Sequence, residues 1–585
     1  MRGDGRKGDI FLGINLMQDP AVAAIRDGRV LAYSEEERHV RIKHAPNRYP
    51  MSALRYCLDV ADCDMEDVAA VCINWNIDAY TDGRMSAFFE SIRAEHPIDD
   101  KTIAWQNSRL QLRSQDVYRE NHEFEWRREF GDIRYPKIIT APHHYTHAFQ
   151  AFMQSPFDHA LCLTIDGSGD QHCTVVWRCE DDRIEPLKEL NQPQSLGWLY
   201  AAFTEYLGFQ AYEGEYKVMG LAAYGRPDAD LKARILRIAR PAADGVGYEI
   251  DGTYIHYGSH RYSKRFTDKL VELLGRPPRT PDEPITEWHE NLAHTLQQIL
   301  EEHVIRLVCW GIAETGFHNV CIGGGVGLNV KMNSRLFQLD QVHDVFAHPL
   351  CSDAGAAAGA ALLVCQQNTG ARPEQLSTLA LGYEESGEDI VRILKSSGLL
   401  YETPSNICSS VAEELAHGRI VGWFQGRMEA GPRALGQRSI LADPRQLENR
   451  DKVNAIVKFR EHWRPFCPSI MAEYMDRYFD SFTEAPFMII SFIANEKLCK
   501  DAPAIVHIDG TSRVQMVHQA ANPRYHSLLA AFNELTGVPI LLNTSFNVKG
   551  EPIVCSARDA LRTFWSTGLE VLALGDYLIR KPVLD

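Results

Sequence analysis

Two strand–turn–strand layouts constrain the fold of this chain more than any other feature. The first runs through Ile10–Ile14, Ala21–Arg26 and Arg29–Ser34, the last two parted by Asp27-Gly28. Asp-Gly between such runs is the strongest short hairpin signal, because a two-residue hairpin turn needs positive φ at both positions. The second layout runs through Ala160–Ile165, a Gly167-Ser168-Gly169 turn, and Cys173–Cys179, followed by acidic turn residues and more strand. Recurrence on this scale predicts an internal duplication within an α/β protein. Helices are expected at Met51–Ala61, Ala141–Met153 and Glu287–Ala313, the last with Leu292, Leu296, Ile299, His303 and Leu307 on one side. A strand at His318–Ile322 then feeds Gly323-Gly-Gly-Val-Gly-Leu-Asn329, the order of a nucleotide cradle.

Actin-like and sugar-kinase-like folds are built this way, with a nucleotide between related halves. In the helix expected ahead of the second layout, His143 and His147 are four apart, so they share a face and can reach one metal. Asp166 ends the apolar run Leu161–Ile165, where a strand tip presents its carboxylate. The glycine-rich residues behind it, Gly167 and Ser168 among them, suit a phosphate. Farther on, Asp353 opens the small-residue stretch Ala354–Ala360, which must pack very closely against something. Taken alone, Asp353 reads better as a helix N-cap than as a ligand.

The chain of 585 residues carries a net charge of −17, which argues against nucleic acid as partner. Its 14 cysteines form no Cys-x-x-Cys pair, so they read as small apolar residues in a reducing compartment. The polar start of the chain does not read as a signal peptide, and no apolar run reaches a membrane-spanning length. A cytoplasmic protein without a membrane partner is expected. The most linker-like stretch is Gln366–Arg372, which places domains at 1–370 and 371–585. Beyond it, arginines and lysines recur in Gly-, Pro- and Ser-rich loops: Gly431-Pro-Arg433-Ala-Leu-Gly436, Lys458–Ser469, Ile508–Arg513 and Leu541–Asn547. Several such loops in one acidic protein point to an anion pocket.

These pieces together resemble the NodU/CmcH-type O-carbamoyltransferases over nearly the whole chain. The markers are Glu35-Glu-Glu-Arg38 with Lys43-His44, His143-x3-His147, Asp166-Gly167, Lys217–Gly225, Gly323–Asn329, Asp353, Gly431–Gly436, Trp463-Arg-Pro-Phe466 and Asn543-Thr-Ser-Phe-Asn547. The resemblance implies a duplicated actin/sugar-kinase-like N-terminal domain, similar to the tRNA threonylcarbamoyl-transfer protein, and an α+β YrdC-like C-terminal domain. It implies Fe2+, or another divalent ion, on His143, His147, Asp166 and Asp353, which turns Asp353 from cap to ligand. Two imidazoles with carboxylates suit such an ion. By the same likeness, Lys43 is a second cation there, and Gly325 and Asn329 contact the adenosine or its ribose. In the C-terminal domain, Arg433, Lys458, Arg464 and Arg513 would gather carbamoyl phosphate and ATP (with Mg2+), and Asn543 and Ser545 would add neutral hydrogen bonds. The implied product is carbamoyl-adenylate, whose carbamoyl group passes to a hydroxyl of a small specialised metabolite; a homodimer is compatible with this.

The chain departs from the family at one point. A histidine that would serve as base for the acceptor hydroxyl is matched here by Gln18, in Gln18-Asp19-Pro20-Ala21. An amide takes no proton at neutral pH, so Asp19, or a nearby histidine such as His144, is expected to act instead. The aromatic residues Trp75, Tyr80, Phe88, Phe89 and Trp105 read as core, with an acceptor pocket as the other reading. A fused tRNA-modifying synthase is disfavoured by the acidic charge, and a non-enzymatic actin-like switch leaves the basic loops unexplained.

Overall fold

The computed structural model describes residues 8–582 apart from 99, 113–114, 258–263, 459–460, 462 and 465. The chain forms two compact units. One comprises residues up to Met17, Val22–Leu31 and Leu58–Gln375; the other comprises Gln18–Ala21, Ala32–Cys57 and the residues from Leu376 onward. The units are therefore not simply consecutive, as a cut at 370 has them.

One five-stranded sheet contains β1 (Ile10–Asn15), β2 (Ala21–Arg26), β3 (Arg29–Glu35), β4 (Val68–Ile73) and β5 (Lys137–Thr140), in the order β3-β2-β1-β4-β5. Asp27 and Gly28 join β2 to β3 at φ 51° and 78°, as the hairpin signal requires. A second sheet contains β6 (His159–Gly169), β7 (His172–Glu180), β8 (Arg183–Asn191), β11 (Asn319–Gly323) and β12 (Asp344–Ala347); β9 (Ala239–Pro241) and β10 (Tyr248–Ile250) form a separate ribbon. Its order, β8-β7-β6-β11-β12, repeats that of the first sheet strand for strand. In both, the fourth strand pairs parallel with the first. The duplication is thus present in the topology, in the arrangement expected of an actin- or sugar-kinase-like domain.

Phe11 and Ile25 of the first sheet, Cys162 and Val175 of the second, Phe149 and Phe152 of the helix His143–Met153, and Ala360–Cys365 share one buried core. Each fully buried Val, Ile or Phe contributes about 1.5–3 kcal/mol. The small-residue helix, Asp353–Thr369, packs against β1. A Cβ added to Gly13 would stand 1.8 Å from the Ala357 carbonyl oxygen, so the approach is backbone to backbone. One local expectation fails. Gly167-Ser168-Gly169 is no turn: it continues β6, with Gly169 opposite His172 after a register shift beyond Ile165. The turn falls instead at Asp170, with φ 55°. Ladder pairing overrode the glycine signal, and the bulge re-aims the strand beside Asp166.

The second unit is built on a seven-stranded mixed sheet. Its strands are β13 (Val421–Phe424), β14 (Arg438–Ala442), β15 (Cys467–Met471), β18 (Gln515–Val517), β19 (Ile540–Ser545), β20 (Val571–Leu574) and β21 (Tyr577–Arg580), in the order β18-β15-β19-β14-β13-β20-β21. β16 (Ser491–Ile493) and β17 (Thr511–Arg513) form a two-stranded ribbon. Helices Ile407–Ala416 and Pro523–Thr536 pack together over a core holding Val411, Trp423, Leu528 and Leu541. Two guanidinium groups tie Ala32–Cys57 into this unit: Arg38 donates to the Gly431 carbonyl (2.8 Å) and Arg41 to that of Ile553 (2.6 Å). Among the described residues no helix is long and apolar enough to cross a membrane.

Candidate active site

His143 and His147 lie one turn apart on a helix, both fully buried, with their Nε2 atoms 3.1 Å apart. Asp166, on β6, brings Oδ2 to 3.6 Å from His147 Nε2 and 3.9 Å from His143 Nε2. Asp353 Oδ1 lies 3.6 Å from His143 Nε2. Ser352 holds the N-cap position and Asp353 is the first helical residue, so the cap reading of Asp353 gives way. One donor atom from each of the four residues falls within 4.8 Å of the others. Two imidazole nitrogens and two carboxylates on rigid elements are a donor set that fits iron or a similar divalent ion.

Supporting contacts hold these side chains in place. His143 Nδ1 donates to the Asn74 carbonyl (3.1 Å), which turns Nε2 toward the cluster. Asp170 accepts the backbone N–H of His143 (3.0 Å) and that of Asn76 (3.0 Å). An added Cβ at Gly169 would stand 2.0 Å from the His143 ring, so glycine there makes room for the imidazole. Asp166 accepts from the amides of Gly167 (2.7 Å) and Gly325 (2.9 Å), joining the strand tip to the glycine loop.

Burial alone would depress the His143 pKa, but the Asp166 and Asp353 carboxylates outweigh it and hold it up at about 9. Burial and the charge on His143 push His147 down to about 3. Burial acts against ionised Asp166, yet the two histidines hold its carboxyl below the usual range. The carboxylates thus favour the charged form of His143 and burial the neutral form of His147; imidazoles ligate a cation in their neutral form.

Other expected residues have mixed placements. Asn329 caps the helix Val330–Phe337 through Met332 N (3.0 Å) and exchanges amide hydrogen bonds with Gln297 (2.9 Å). Ser168 is buried on β6. His144 cannot be the substitute base. It is buried, its Nε2 donates to the His172 carbonyl (3.1 Å), and its Nδ1 meets the Thr164 hydroxyl (2.9 Å). Trp75 is buried with its ring centroid 4.6 Å from that of His143. Tyr80 and Phe89 are buried, while Phe88 and Trp105 are half-buried.

In the second unit, Lys458 Nζ donates to Ser545 O (2.7 Å), Ser545 Oγ (3.2 Å), Asn547 O (3.0 Å) and Asn547 Oδ1 (2.7 Å). Asn543 is buried, its amide donating to Ala434 O (3.1 Å), Ser469 Oγ (2.9 Å) and Gln515 Oε1 (3.2 Å). Arg513 Nε meets Cys467 Sγ (2.7 Å). Arg433 and Arg464 are half-buried. Phe459, Arg460, His462 and Pro465 lie outside the described residues. The Gly431–Gly436 loop therefore sits beside Asn543 through Ala434, and Lys458 beside Ser545. Arg438, in the same basic stretch, is structural: it is fully buried and donates to the carbonyls of Gln425 (2.8 Å) and Tyr383 (3.0 Å).

Sequence reasoning missed Glu429. This buried carboxylate accepts from the amides of Leu435 (2.7 Å), Arg438 (3.2 Å) and Gln437 (3.4 Å), shaping the Gly-Pro-Arg-Ala-Leu-Gly loop from within. An acidic residue inside an otherwise basic loop was its only signal.

The family model of the carbamoyltransferase N-terminus matches residues 10–362, and that of the carbamoyltransferase C-terminus matches residues 412–581. The chain belongs to the carbamoyltransferase family. This carbamoyltransferase is 36% identical over 576 residues to nodulation protein NolNO of Sinorhizobium fredii, covering 97% of the chain and 79% of that protein. It is 35% identical over 609 residues to an uncharacterized protein of Synechocystis sp., covering 98% and 96%. It is 34% identical over 255 residues to the 3'-hydroxymethylcephem-O-carbamoyltransferase of Amycolatopsis lactamdurans, covering 44% and 47%.

The two remaining expected residues of the carbamoyltransferase, Asp19 and Lys43, stand together in the second unit. Lys43 Nζ lies 3.2 Å from Glu37, and Asp19 Oδ1 lies 2.5 Å from His44 Nδ1. Glu37 is held below the usual carboxylate range: burial opposes its ionisation, but Arg38, Lys43 and the His44 amide outweigh it.

Proposed function

We propose that the enzyme is an ATP-dependent O-carbamoyltransferase that makes carbamoyl-adenylate from carbamoyl phosphate and ATP and passes the carbamoyl group to a hydroxyl of a small specialised metabolite. Activation belongs to the second unit, read as YrdC-like. There water cleaves carbamoyl phosphate to carbamate and phosphate; a carbamate oxygen then bonds to the α-phosphorus of ATP, the bond from that phosphorus to the bridging oxygen breaks, and pyrophosphate leaves. All of these species are anions, so the step needs cations that are already in place; Arg433, Arg464 and Arg513 supply them. Lys458 positions Ser545 and Asn547. Asn543, fixed by Ser469 and Gln515, orients the Ala434 stretch of the arginine loop.

Transfer uses the first unit. His143, His147, Asp166 and Asp353 would hold Fe2+ or a similar ion, which when bound supplies positive charge against the adenylate phosphate and orients the carbamoyl group. Asp166 and Gly325, joined by a hydrogen bond, present the strand tip and glycine loop to the nucleotide. The acceptor oxygen attacks the carbamoyl carbon, the bond from that carbon to the phosphate oxygen breaks, and AMP departs. The convergence of His143, His147, Asp166 and Asp353 from three separate segments, in a carbamoyltransferase, carries this reading. In the expected outcome, carbamoyl phosphate added with ATP and Mg2+ releases pyrophosphate and phosphate in equal amounts. Pyrophosphate release that does not depend on carbamoyl phosphate, or formation of ADP instead, would contradict it.

A further inference from the structure

Glu429 is a carboxylate set inside a stretch read as a receiver of anions. It is 2% exposed, and a buried charge is costly unless its surroundings compensate it. The compensation comes from the loop itself. The amides of Leu435, Arg438 and Gln437 converge on one oxygen, Glu429 Oε1, at 2.7, 3.2 and 3.4 Å. Amides that converge from a tight turn make a concavity suited to an anion. Here the anion is supplied from within the chain.

Further contacts hold the loop in this form. Arg38 donates to the Gly431 carbonyl (2.8 Å), Asn543 to that of Ala434 (3.1 Å), Gln515 to that of Leu435 (2.8 Å) and Trp423 to that of Gly436 (2.8 Å). Gly431 and Gly436, at the two ends, hold φ of 83° and 97°, a region that glycine enters without steric cost. Glu429 is fixed through its neighbours: the amides of Met428 and Ala430 donate to the carbonyls of Tyr383 (2.9 Å) and Leu379 (2.7 Å). Two buried cations are coupled to its charge. Burial opposes the charge on Arg38, but Glu35, Glu37 and Glu429 outweigh it and raise its pKa. Burial lowers the pKa of Arg438, and Glu429 is foremost among the groups that oppose this. All of these residues belong to the second unit. With these amides taken up by Glu429, an incoming anion is left to side-chain cations, of which Arg433 lies on the loop itself.

Resting on the reading of the second unit as the activating one, we infer that Glu429 is a positioning residue for activation. Its carboxylate fills the amide concavity of the Gly431–Gly436 loop and thereby sets Arg433 for an anionic substrate, with Arg38 as its counter-charge. Arg38 is a positioning residue of the same kind, acting through Gly431.

The test is calorimetric titration of the full-length enzyme with pyrophosphate alone, which gives the number of sites and the Kd separately. Misplacing a binding group by about 1 Å costs roughly 10²-fold. Glu429→Gln should therefore raise the Kd roughly 10²-fold with the number of sites unchanged. Arg38→Lys should raise it by a smaller factor, and Glu429→Asp, which keeps the charge, should bind more tightly than Glu429→Gln. Because Glu429 acts through Arg433, adding Glu429→Gln to Arg433→Ala should weaken binding by no more than about twofold further. Fewer sites at an unchanged Kd would make Glu429 merely structural, and full additivity in the double variant would mean that it does not act through Arg433; either overturns the inference, as does a wild type that binds no pyrophosphate. Binding is read without carbamoyl phosphate or ATP. A wild type that binds pyrophosphate but forms none from those substrates would therefore strike the adenylate reading alone.

Discussion

Replacing His147 with alanine should strip the divalent ion from the enzyme and reduce carbamoyl transfer at least roughly a hundredfold, while pyrophosphate release survives. Even outer-shell changes typically cost about 10–100-fold in metal affinity or activity, and His147 supplies a donor itself. Its Nε2 lies within 3.6 Å of Asp166 and 3.1 Å of His143. Its removal leaves His143 and two carboxylates, with a cavity where the ring stood. Elemental analysis of the purified variant gives metal content, and a labelled-carbamoyl assay gives transfer. Retained pyrophosphate release separates ligand loss from misfolding, because the basic groups proposed for activation belong to the other unit. A variant with full metal and full transfer would remove these four residues from the chemistry.

The second large effect concerns activation. Arg513→Ala and Arg464→Ala should each abolish carbamoyl-phosphate-dependent pyrophosphate release, with metal content unchanged. A preorganised cation facing developing negative charge is worth about 3–4 kcal/mol, or roughly 10²–10³ in rate. Arg513 sits on β17 with its Nε anchored at Cys467 Sγ, 2.7 Å away, so its position is set before substrate arrives. Arg513→Lys should recover little, since a single ammonium lacks the planar fork. A colorimetric pyrophosphate assay reads all three variants. Normal release by both alanine variants would mean that the basic loops hold some other anion.

How much of this was legible in the sequence depended on the reach of each interaction. The Asp27-Gly28 hairpin and the shared face of His143 and His147 are set by neighbours a few residues away, and both are found where the pattern put them. The register of Gly167–Gly169 was misread because the decisive partner, His172, lies across a ladder that local glycine content does not reveal. That His144 points away from its neighbours follows from helix geometry, in which adjacent residues never share a face, but its engagement with Thr164 and His172 needed the sheet. Asp353 read as a cap until the resemblance made it a ligand; its approach to His143 requires the pairing of β6 with β11 and the packing of a helix on β1. The partition of the chain was hidden for the same reason. Arg38 and Arg41 bind carbonyls hundreds of residues downstream, and no composition shift marks such contacts. Glu429 and Gln515 act by orienting groups that look functional, and nothing in their own spacing signals it.

Carbamoyl phosphate and ATP are expected to meet on this enzyme and form a mixed anhydride before any acceptor is touched. Mass spectrometry of a rapidly quenched, acceptor-free reaction containing isotope-labelled carbamoyl phosphate tests it most directly. The expected species is AMP bearing one labelled carbamoyl group, present with wild-type enzyme and absent with Arg513→Ala. If the label is found only in carbamoyl phosphate and carbamate while transfer to an added hydroxyl proceeds, the carbamoyl group moves without adenylation and the account is wrong.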